Sequence, residues 1–329
     1  MIQKLLVANL LATQSSTNKQ IFTYIYHYIF KQIKIKGHAD IMGQIYSEFL
    51  KYTLGDGKEL GIVLTSPYIT KMMAQILEID EDCKVMDLAT GSTGFLISAM
   101  ELMIKRVKNK FSKDSTKTNE KIKTIKQNQL LGVEYNAEMF TLATTNMILR
   151  GDGSSKIQKA NTFDTPPSLY EYFKATRILL NSPFTWDENG MPFIEFGLRN
   201  MQKGWLVAII IQDLAGSGKA TKSNTKILKN HTLKASIKMP MDLFQPMAGV
   251  QTNIYIFETK IPHDFEKPVK FIDFRNDGYK RTKNTLQEIS NPELRYKEII
   301  NIYKAGKNAK ITKDLWNIDK NLYRRFYRF

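Results

Sequence analysis

The sequence predicts an α/β fold built on a mostly parallel sheet, and three observations carry that prediction. From residue 84 onward, short apolar runs alternate with amphipathic stretches long enough to be helices. A glycine-bearing turn, Asp87 to Leu96, directly follows the first run and opens a helix. The 329 residues are 43% hydrophobic and 24% charged, a globular balance that excludes a wholly disordered chain and leaves ample material for a core.

The elements follow in order. Residues 19–35 place Ile21, Ile25, Tyr28 and Ile29 at helical spacing, which predicts a helix with one buried face. Asp40 can cap a second helix over 41–54, ended by Gly55-Asp56-Gly57, and a third follows Pro67 through Met72, Met73 and Ile76. The strand candidates are 84–89, 130–135, 175–183, 204–211, 233–240 and 253–259, with helices over 94–108, 137–149 and 192–202. Strands alternating with helices give a parallel sheet covered on both faces. The last two strand candidates lie close together, with Pro246 and Gly249 between them, which favours an antiparallel final strand.

Two stretches stand apart. Lys105 to Lys126 carries nine basic residues against Asp114 and Glu120 and reads as an exposed insertion, equally compatible with a solvated loop and a DNA contact. After Lys260 come one more strand, 270–274, and a polar Tyr- and Lys-rich extension ending Tyr323-Arg324-Arg325-Phe326-Tyr327-Arg328-Phe329. The expected organisation is a short helical N-terminal segment (1–57), a main domain (58–260) and a C-terminal extension (261–329).

Charge and cysteine usage narrow the class. The 48 Lys and Arg outnumber 32 Asp and Glu, a net charge of +16. Such a surplus fits a polyanionic partner, nucleic acid before anionic membrane, and fits equally a Lys-rich soluble protein from an AT-biased genome. The single Cys83 excludes an internal disulfide framework, and no apolar run approaches the ~20 residues that span a bilayer. Asn9 interrupts the apolar start of the chain, so the expected setting is cytoplasmic, with no membrane partner.

The chemistry concentrates in three places. In Asp87-Leu88-Ala89-Thr90-Gly91-Ser92-Thr93-Gly94-Phe95, Gly91 and Gly94 let backbone approach a ligand, and the helix start supplies free N–H donors. Its spacing matches neither a dinucleotide fingerprint nor a P-loop. Glu134 ends the second strand, where a carboxylate can accept both hydroxyls of a ribose. Asn181-Ser182-Pro183-Phe184 ends the fourth strand. An Asn carbonyl and a backbone carbonyl can hold the amino group of a flipped adenine while an aromatic ring stacks on the base. An ordinary strand-to-loop turn has the same composition. The four histidines, 27, 38, 231 and 263, lack the paired spacing of a zinc site, so no metal is expected. Lys222, Lys226 and Lys229 fall on one helical face, suited to DNA phosphates or simply to solvent.

In their order along the chain these motifs resemble the adenine-N6 DNA methyltransferases, most closely the modification subunits of type I restriction–modification systems. That family carries Thr-Pro, then Asp-Pro-x-x-Gly-Ser-Gly-Gly-Phe, then Gly-x-Glu, then Asn-Pro-Pro-Phe or Asn-Pro-Pro-Tyr. The counterparts here are Thr65-Ser66-Pro67, Asp87 through Phe95, Gly132-Val133-Glu134 and Asn181 through Phe184, flanked by Ile41 through Tyr46 and Met239 through Phe244. The resemblance spans about residues 40–280. It implies a Rossmann-like methyltransferase fold with a seven-stranded sheet and S-adenosylmethionine as cofactor.

It also implies roles. Thr65 would lie near the methionine end of the cofactor. Asp87, Ala89, Thr90, Gly91, Ser92, Gly94 and Phe95 would surround its body, Glu134 would hold its ribose, and Asn161 would lie near its adenine. Asn181, Ser182, Pro183 and Phe184 would form the catalytic turn, acting on a flipped adenine in double-stranded DNA. A separate specificity subunit, and a restriction subunit with it, would be the protein partners. Ser66, Leu88 and Ser182 stand where the family has proline, and Thr93 where it has glycine, departures that point to reduced activity. Protein-glutamine or RNA methylation is one rival reading. A decayed methylase fragment serving DNA binding or assembly is the other.

Overall fold

The computed structural model describes residues 65–306, apart from 113, 152–155, 217, 246–247 and 283–285, together with Thr23. The helices expected over 19–35 and 41–54 and the aromatic C-terminal run lie outside the described residues. By its contacts the chain separates into two units, residues 1–53 with 149–151 and residues 54–148 with 152–329. The second unit is described below.

The chain enters through helix α1 (Pro67–Ile76), where Pro67 takes the first helical position, whose N–H would be unpaired in any case. There follow β1 (Val85–Asp87), α2 (Gly94–Lys110), α3 (Ser115–Asn128), β2 (Leu130–Glu134), α4 (Ala137–Leu149) and β3 (Lys156–Lys159). Next come α5 (Pro167–Phe173), β4 (Arg177–Asn181), α6 (Met191–Arg199), β5 (Leu206–Gln212), α7 (Thr221–Asn230) and β6 (Thr232–Lys238). The chain continues through β7 (Thr252–Glu258), β8 (Lys270–Asp273), the hairpin β9 (Tyr279–Arg281) with β10 (Leu286–Glu288), and α8 (Pro292–Ala305).

The main sheet has the order β3-β2-β1-β4-β5-β7-β6-β8. β7 runs antiparallel to both β5 and β6, and the other pairings are parallel. The antiparallel strand expected from the short 240–252 connection is therefore present, inserted between β5 and β6, and 270–274 supplies an eighth, edge strand.

Two apolar layers cover the sheet. One joins α1, α2 and α8 through residues such as Ile69, Met73, Leu96, Met103 and Ile299; the other joins α5, α6 and α7 through Tyr170, Ile194, Leu198 and Ile227. Strands with both faces covered read as continuous apolar runs, and Val207 to Ile211 are all fully buried. The Lys-rich insertion is helical: α2 continues to Lys110, and Asp114 caps α3 by accepting from the N–H of Lys117 at 2.9 Å. Only Ile125 of α3 is buried; its lysines lie outside the core, Lys121 pairing with Asp82 at 2.6 Å and Lys117 with Asp114 at 3.2 Å. Among the described residues no helix is long and apolar enough to cross a membrane.

Candidate active site

Three strands end side by side: β1 at Asp87, β2 at Glu134 and β4 at Asn181. β1 lies between the other two, and its crossover helix α2 packs on one face of the sheet while α5, leading into β4, packs on the other. This is the switch point at which open α/β sheets bind ligands.

Asp87 is 1% exposed. Its Oδ1 accepts from the N–H of Ala89 at 3.1 Å, while the buried Oδ2 has no hydrogen-bond partner among the described residues. Burial, with the charge of Glu134 adding to it, pushes the carboxyl up to about 8, so it holds a proton at neutral pH. Glu134 closes the turn from the other side. Its Oε2 accepts from the N–H of Gly91 at 2.8 Å and its Oε1 from the N–H of Asn136 at 2.9 Å. Gly91 has φ +52°, a conformation glycine adopts without strain. The glycine of Gly132-Val133-Glu134 is needed for space, because a Cβ there would lie 2.9 Å from Cδ1 of Ile157 and press on Thr90.

The second half of the site comes from α1 and β4. The side-chain amide of Asn181 donates to Oγ1 of Thr65 at 3.0 Å, which fixes Oδ1 as the acceptor end of the side chain. A Cβ on Gly94 would lie 3.8 Å from the carbonyl oxygen of Thr65, which brings the first turn of α2 against the same residue. Ser182 is 2% exposed, and its hydroxyl has no hydrogen-bond partner among the described residues. Phe184 packs edge-on against Phe244, with ring centroids 5.5 Å apart, so the 239–244 segment stands behind the Asn181–Phe184 turn.

Thr65, Asp87, Gly91, Gly94, Glu134 and Asn181 are thus brought to one edge of the sheet. Asn161 joins them, one residue beyond Ala160, whose N–H donates to the carbonyl of Glu134 at 3.0 Å. Its side chain is engaged locally, accepting from the N–H of Phe163 and donating to Asp164. Ala89 and the buried Thr90 lie in the turn, and the carbonyl of Ser92 accepts from Asn146 at 2.6 Å. Phe95 is buried in the core layer over α2, so its ring packs the helix rather than lining the turn.

Of the four departures from the family pattern, Ser66 keeps the proline backbone angle, Leu88 and Ser182 are packed in place, and nothing in the structure explains Thr93. Ser66 holds φ −61°, the angle proline would impose. Leu88 is buried, with its Cδ1 in the space beside Gly197, and its carbonyl accepts from Oγ1 of Thr162 at 2.5 Å. Thr93 sits at φ +68°, which a β-branched residue seldom adopts and a glycine takes freely. Ser182 lies against Gly190, where a Cβ would come within 2.6 Å of the serine Cβ.

Sequence reasoning missed two features here. Phe163 and Trp186 stack with centroids 5.8 Å apart, close in the chain to Asn161 and to the Asn181–Phe184 turn; their aromatic character was a usable signal. The other feature is a buried ion-pair network. Arg281 donates to the hydroxyl of Tyr68 at 3.0 Å and pairs with Asp277 and with Asp242, the latter at 3.2 Å. Tyr68 stacks on Tyr279 at 4.8 Å, and Tyr296 donates to Asp277 at 2.7 Å. The network ties the 65–67 turn to residues more than 200 positions away. No local pattern announces it.

The α/β fold, with its mostly parallel sheet, is similar to that of solved methyltransferase structures, at 16–18% identity. The chain matches the family N-6 DNA Methylase over residues 37–203 and 187–321, and it belongs to that family. It is 37% identical over 261 residues to the type II restriction enzyme and methyltransferase RM.BcgI of Heyndrickxia coagulans, covering 76% of this chain and 39% of that protein. It is 27% identical over 236 residues to the type I restriction enzyme EcoEI methylase subunit of Escherichia coli, covering 66% and 46%. The chain therefore spans less than half the length of these curated relatives. Its fold is similar to a modification subunit assigned to a type I restriction enzyme from Vibrio vulnificus YJ016, with TM-score 0.64 and 16% identity, covering 94% of this chain and 66% of that one.

Proposed function

We propose that this chain methylates the exocyclic N6 of an adenine flipped out of double-stranded DNA, as the modification component of a restriction–modification complex. The observation that carries the reading is the 3.0 Å contact between Asn181 and Thr65, which joins the residue suited to hold the amine to the residue suited to the methionine end of the cofactor. The residues fit S-adenosylmethionine: an orphaned buried carboxyl oxygen on Asp87, glycines 91 and 94 at the turn, and the Glu134 carboxylate at the end of β2. When bound, S-adenosylmethionine supplies an electrophilic methyl on a positively charged sulfur.

The protein's part is orientation. Asn181 Oδ1 and the backbone carbonyl of Ser182 accept the two amine hydrogens, which directs the nitrogen lone pair at the methyl carbon. With S-adenosylmethionine bound, a nitrogen–carbon bond would form as the carbon–sulfur bond of the cofactor broke. The amine then gives up one proton to water, so no strong base is needed. Phe184 contributes an aromatic face for the flipped base, backed by Phe244. Lys222, Lys226 and Lys229, exposed on α7, are suited to DNA phosphates and not to reading bases, so sequence choice falls to a separate specificity subunit.

The test is methyl transfer from labelled cofactor to mixed-sequence DNA, with and without the product of the neighbouring gene. Label appearing as N6-methyladenine supports the reading. Label on glutamine or RNA, or cofactor binding without any transfer, refutes it in favour of a rival.

A further inference from the structure

The loop that follows the catalytic turn holds an unusual backbone. Glu188 (φ 51°, ψ 31°), Asn189 (φ 57°, ψ 24°) and Gly190 (φ 88°, ψ 7°) are three successive residues in the left-handed region. Glycine tolerates that region and asparagine visits it, whereas glutamate rarely does. Strain of this kind persists only where neighbours over-determine it, and it concentrates at functional sites.

The neighbours are on hand. Ser223 is in the first turn of α7, whose flanking Ala220 supplies no side-chain cap. Glu188 supplies one from 35 residues away: its Oε2 accepts from the N–H of Ser223 at 3.2 Å and also from the Ser223 hydroxyl. A carboxylate there satisfies an orphan donor and meets the positive end of the helix. The side-chain amide of Asn189 donates to Oε1 of Gln212, the last residue of β5. Gly190 then returns the chain onto Ser182, close enough that a Cβ would lie 2.6 Å from the Ser182 Cβ and 3.0 Å from the Pro183 carbonyl. The loop thus begins and ends on the catalytic turn.

We infer that Glu188, Asn189 and Gly190 form a clamp that positions Asn181-Ser182-Pro183-Phe184 by docking it onto the first turn of α7 and the end of β5, with Glu188 and Ser223 as positioning residues. α7 is also the helix that carries Lys222, Lys226 and Lys229. A phosphate backbone seated on those lysines would therefore bear on the same rigid body as the catalytic turn. This deepens the proposed DNA methylation and rests on it.

The test uses the full chain with its specificity partner. Glu188→Ala should lower kcat by about tenfold to a hundredfold, the scale of a small misplacement of reacting groups, with cofactor affinity changed by less than about twofold. Glu188→Gln keeps a carbonyl oxygen for both Ser223 donors and should restore kcat to within about twofold of wild type. A second readout is independent of activity. With Trp205→Phe and Trp316→Phe in place, Trp186 in the loop reports alone, and Glu188→Ala should raise its quenching by acrylamide at least about twofold, with Gln again restoring it. If wild type proves inactive on adenine while the quenching response appears, the clamp stands and the methylation reading falls. Unchanged quenching, or full kcat in folded Glu188→Ala, overturns the clamp.

Discussion

Asn181 and Thr65, 116 positions apart in the chain, meet through a 3.0 Å hydrogen bond from the side-chain amide of the first to the hydroxyl of the second. The bond fixes which way the asparagine amide points. Thr65→Ala should lower kcat by up to about tenfold, the ~1.4 kcal/mol at the upper end of one net hydrogen bond, while Thr65→Ser retains the wild-type value. Asn181→Ala should abolish turnover with cofactor affinity nearly unchanged. Single-turnover kinetics beside calorimetry separate the two effects, and an active Asn181→Ala would remove the catalytic assignment.

Glu134 carries two backbone N–H groups as well as its proposed ribose contact. Glu134→Ala should weaken S-adenosylmethionine binding by roughly 1–3 kcal/mol, the range for charge-assisted hydrogen bonds. Part of the loss is release of the Gly91 turn, so hydrogen exchange at the Gly91 amide should rise in the cofactor-free variant. Equal affinities of wild type and variant by calorimetry would contradict the ribose role.

Asp87 makes stability depend on pH in a stated direction. Its carboxyl is raised from the ordinary 3.8 to about 8, so between these values the folded state binds a proton that the unfolded state has released. The stabilisation is full below 3.8, declines as pH rises above it, and is lost once pH passes about 8. Asp87→Asn cannot titrate. The Tm difference, wild type minus variant, should fall steadily across that window, and a flat difference would show that the buried acid does not titrate there.

Ser182 and Ser66 both stand in place of proline and test one idea. The Ser182 hydroxyl makes no hydrogen bond among the described residues, so its removal orphans none of their groups, and Ser182→Pro should raise the methylation rate by less than about tenfold through a better-organised carbonyl. Ser66 already holds φ −61°, so Ser66→Pro should add about 0.4–1 kcal/mol of stability by restricting the unfolded chain. A rate gain for Ser66→Pro without a Tm gain would assign it a catalytic rather than a conformational role.

Lys222, Lys226 and Lys229 give a salt-dependence test. Changing all three to alanine should reduce the slope of log affinity against log salt by up to about 0.9 per lost phosphate contact, leaving sequence preference intact. An unchanged slope means that the three lysines face only solvent.

The sheet was legible wherever both faces of a strand are covered. Val207 to Ile211 and Thr252 to Phe257 are buried without interruption, and their runs stand out in the sequence. β3 reads Lys-Ile-Gln-Lys with only Ile157 buried, so no apolar run marks it. α3 hid behind its lysines although Asp114 was available as a cap signal. In the site, the 87–95 turn, Glu134 and Asn181–Phe184 could be named because glycine, carboxylate and Asn-x-Pro turns each imply a geometry, whereas Thr65 and Asn161 followed only from the family resemblance. The left-handed Glu188 and the Arg281–Tyr68 bond could not, because neither residue type prefers the conformation or partner that tertiary packing imposes.

The Arg281–Tyr68 bond also bears on how the chain matures on the ribosome. Arg281 is synthesised 213 residues after Tyr68, a delay of roughly 10–40 s at ordinary elongation rates. Until then the turn at Thr65 to Pro67 lacks the buried guanidinium that braces it, although β1, β2 and α2 have long since emerged. The growing chain therefore has its glycine turn before it has a firm Thr65, and the brace on that turn forms only after residue 281 has been made. A chain stalled before residue 281 should be protease-sensitive around residue 65 while its central sheet resists.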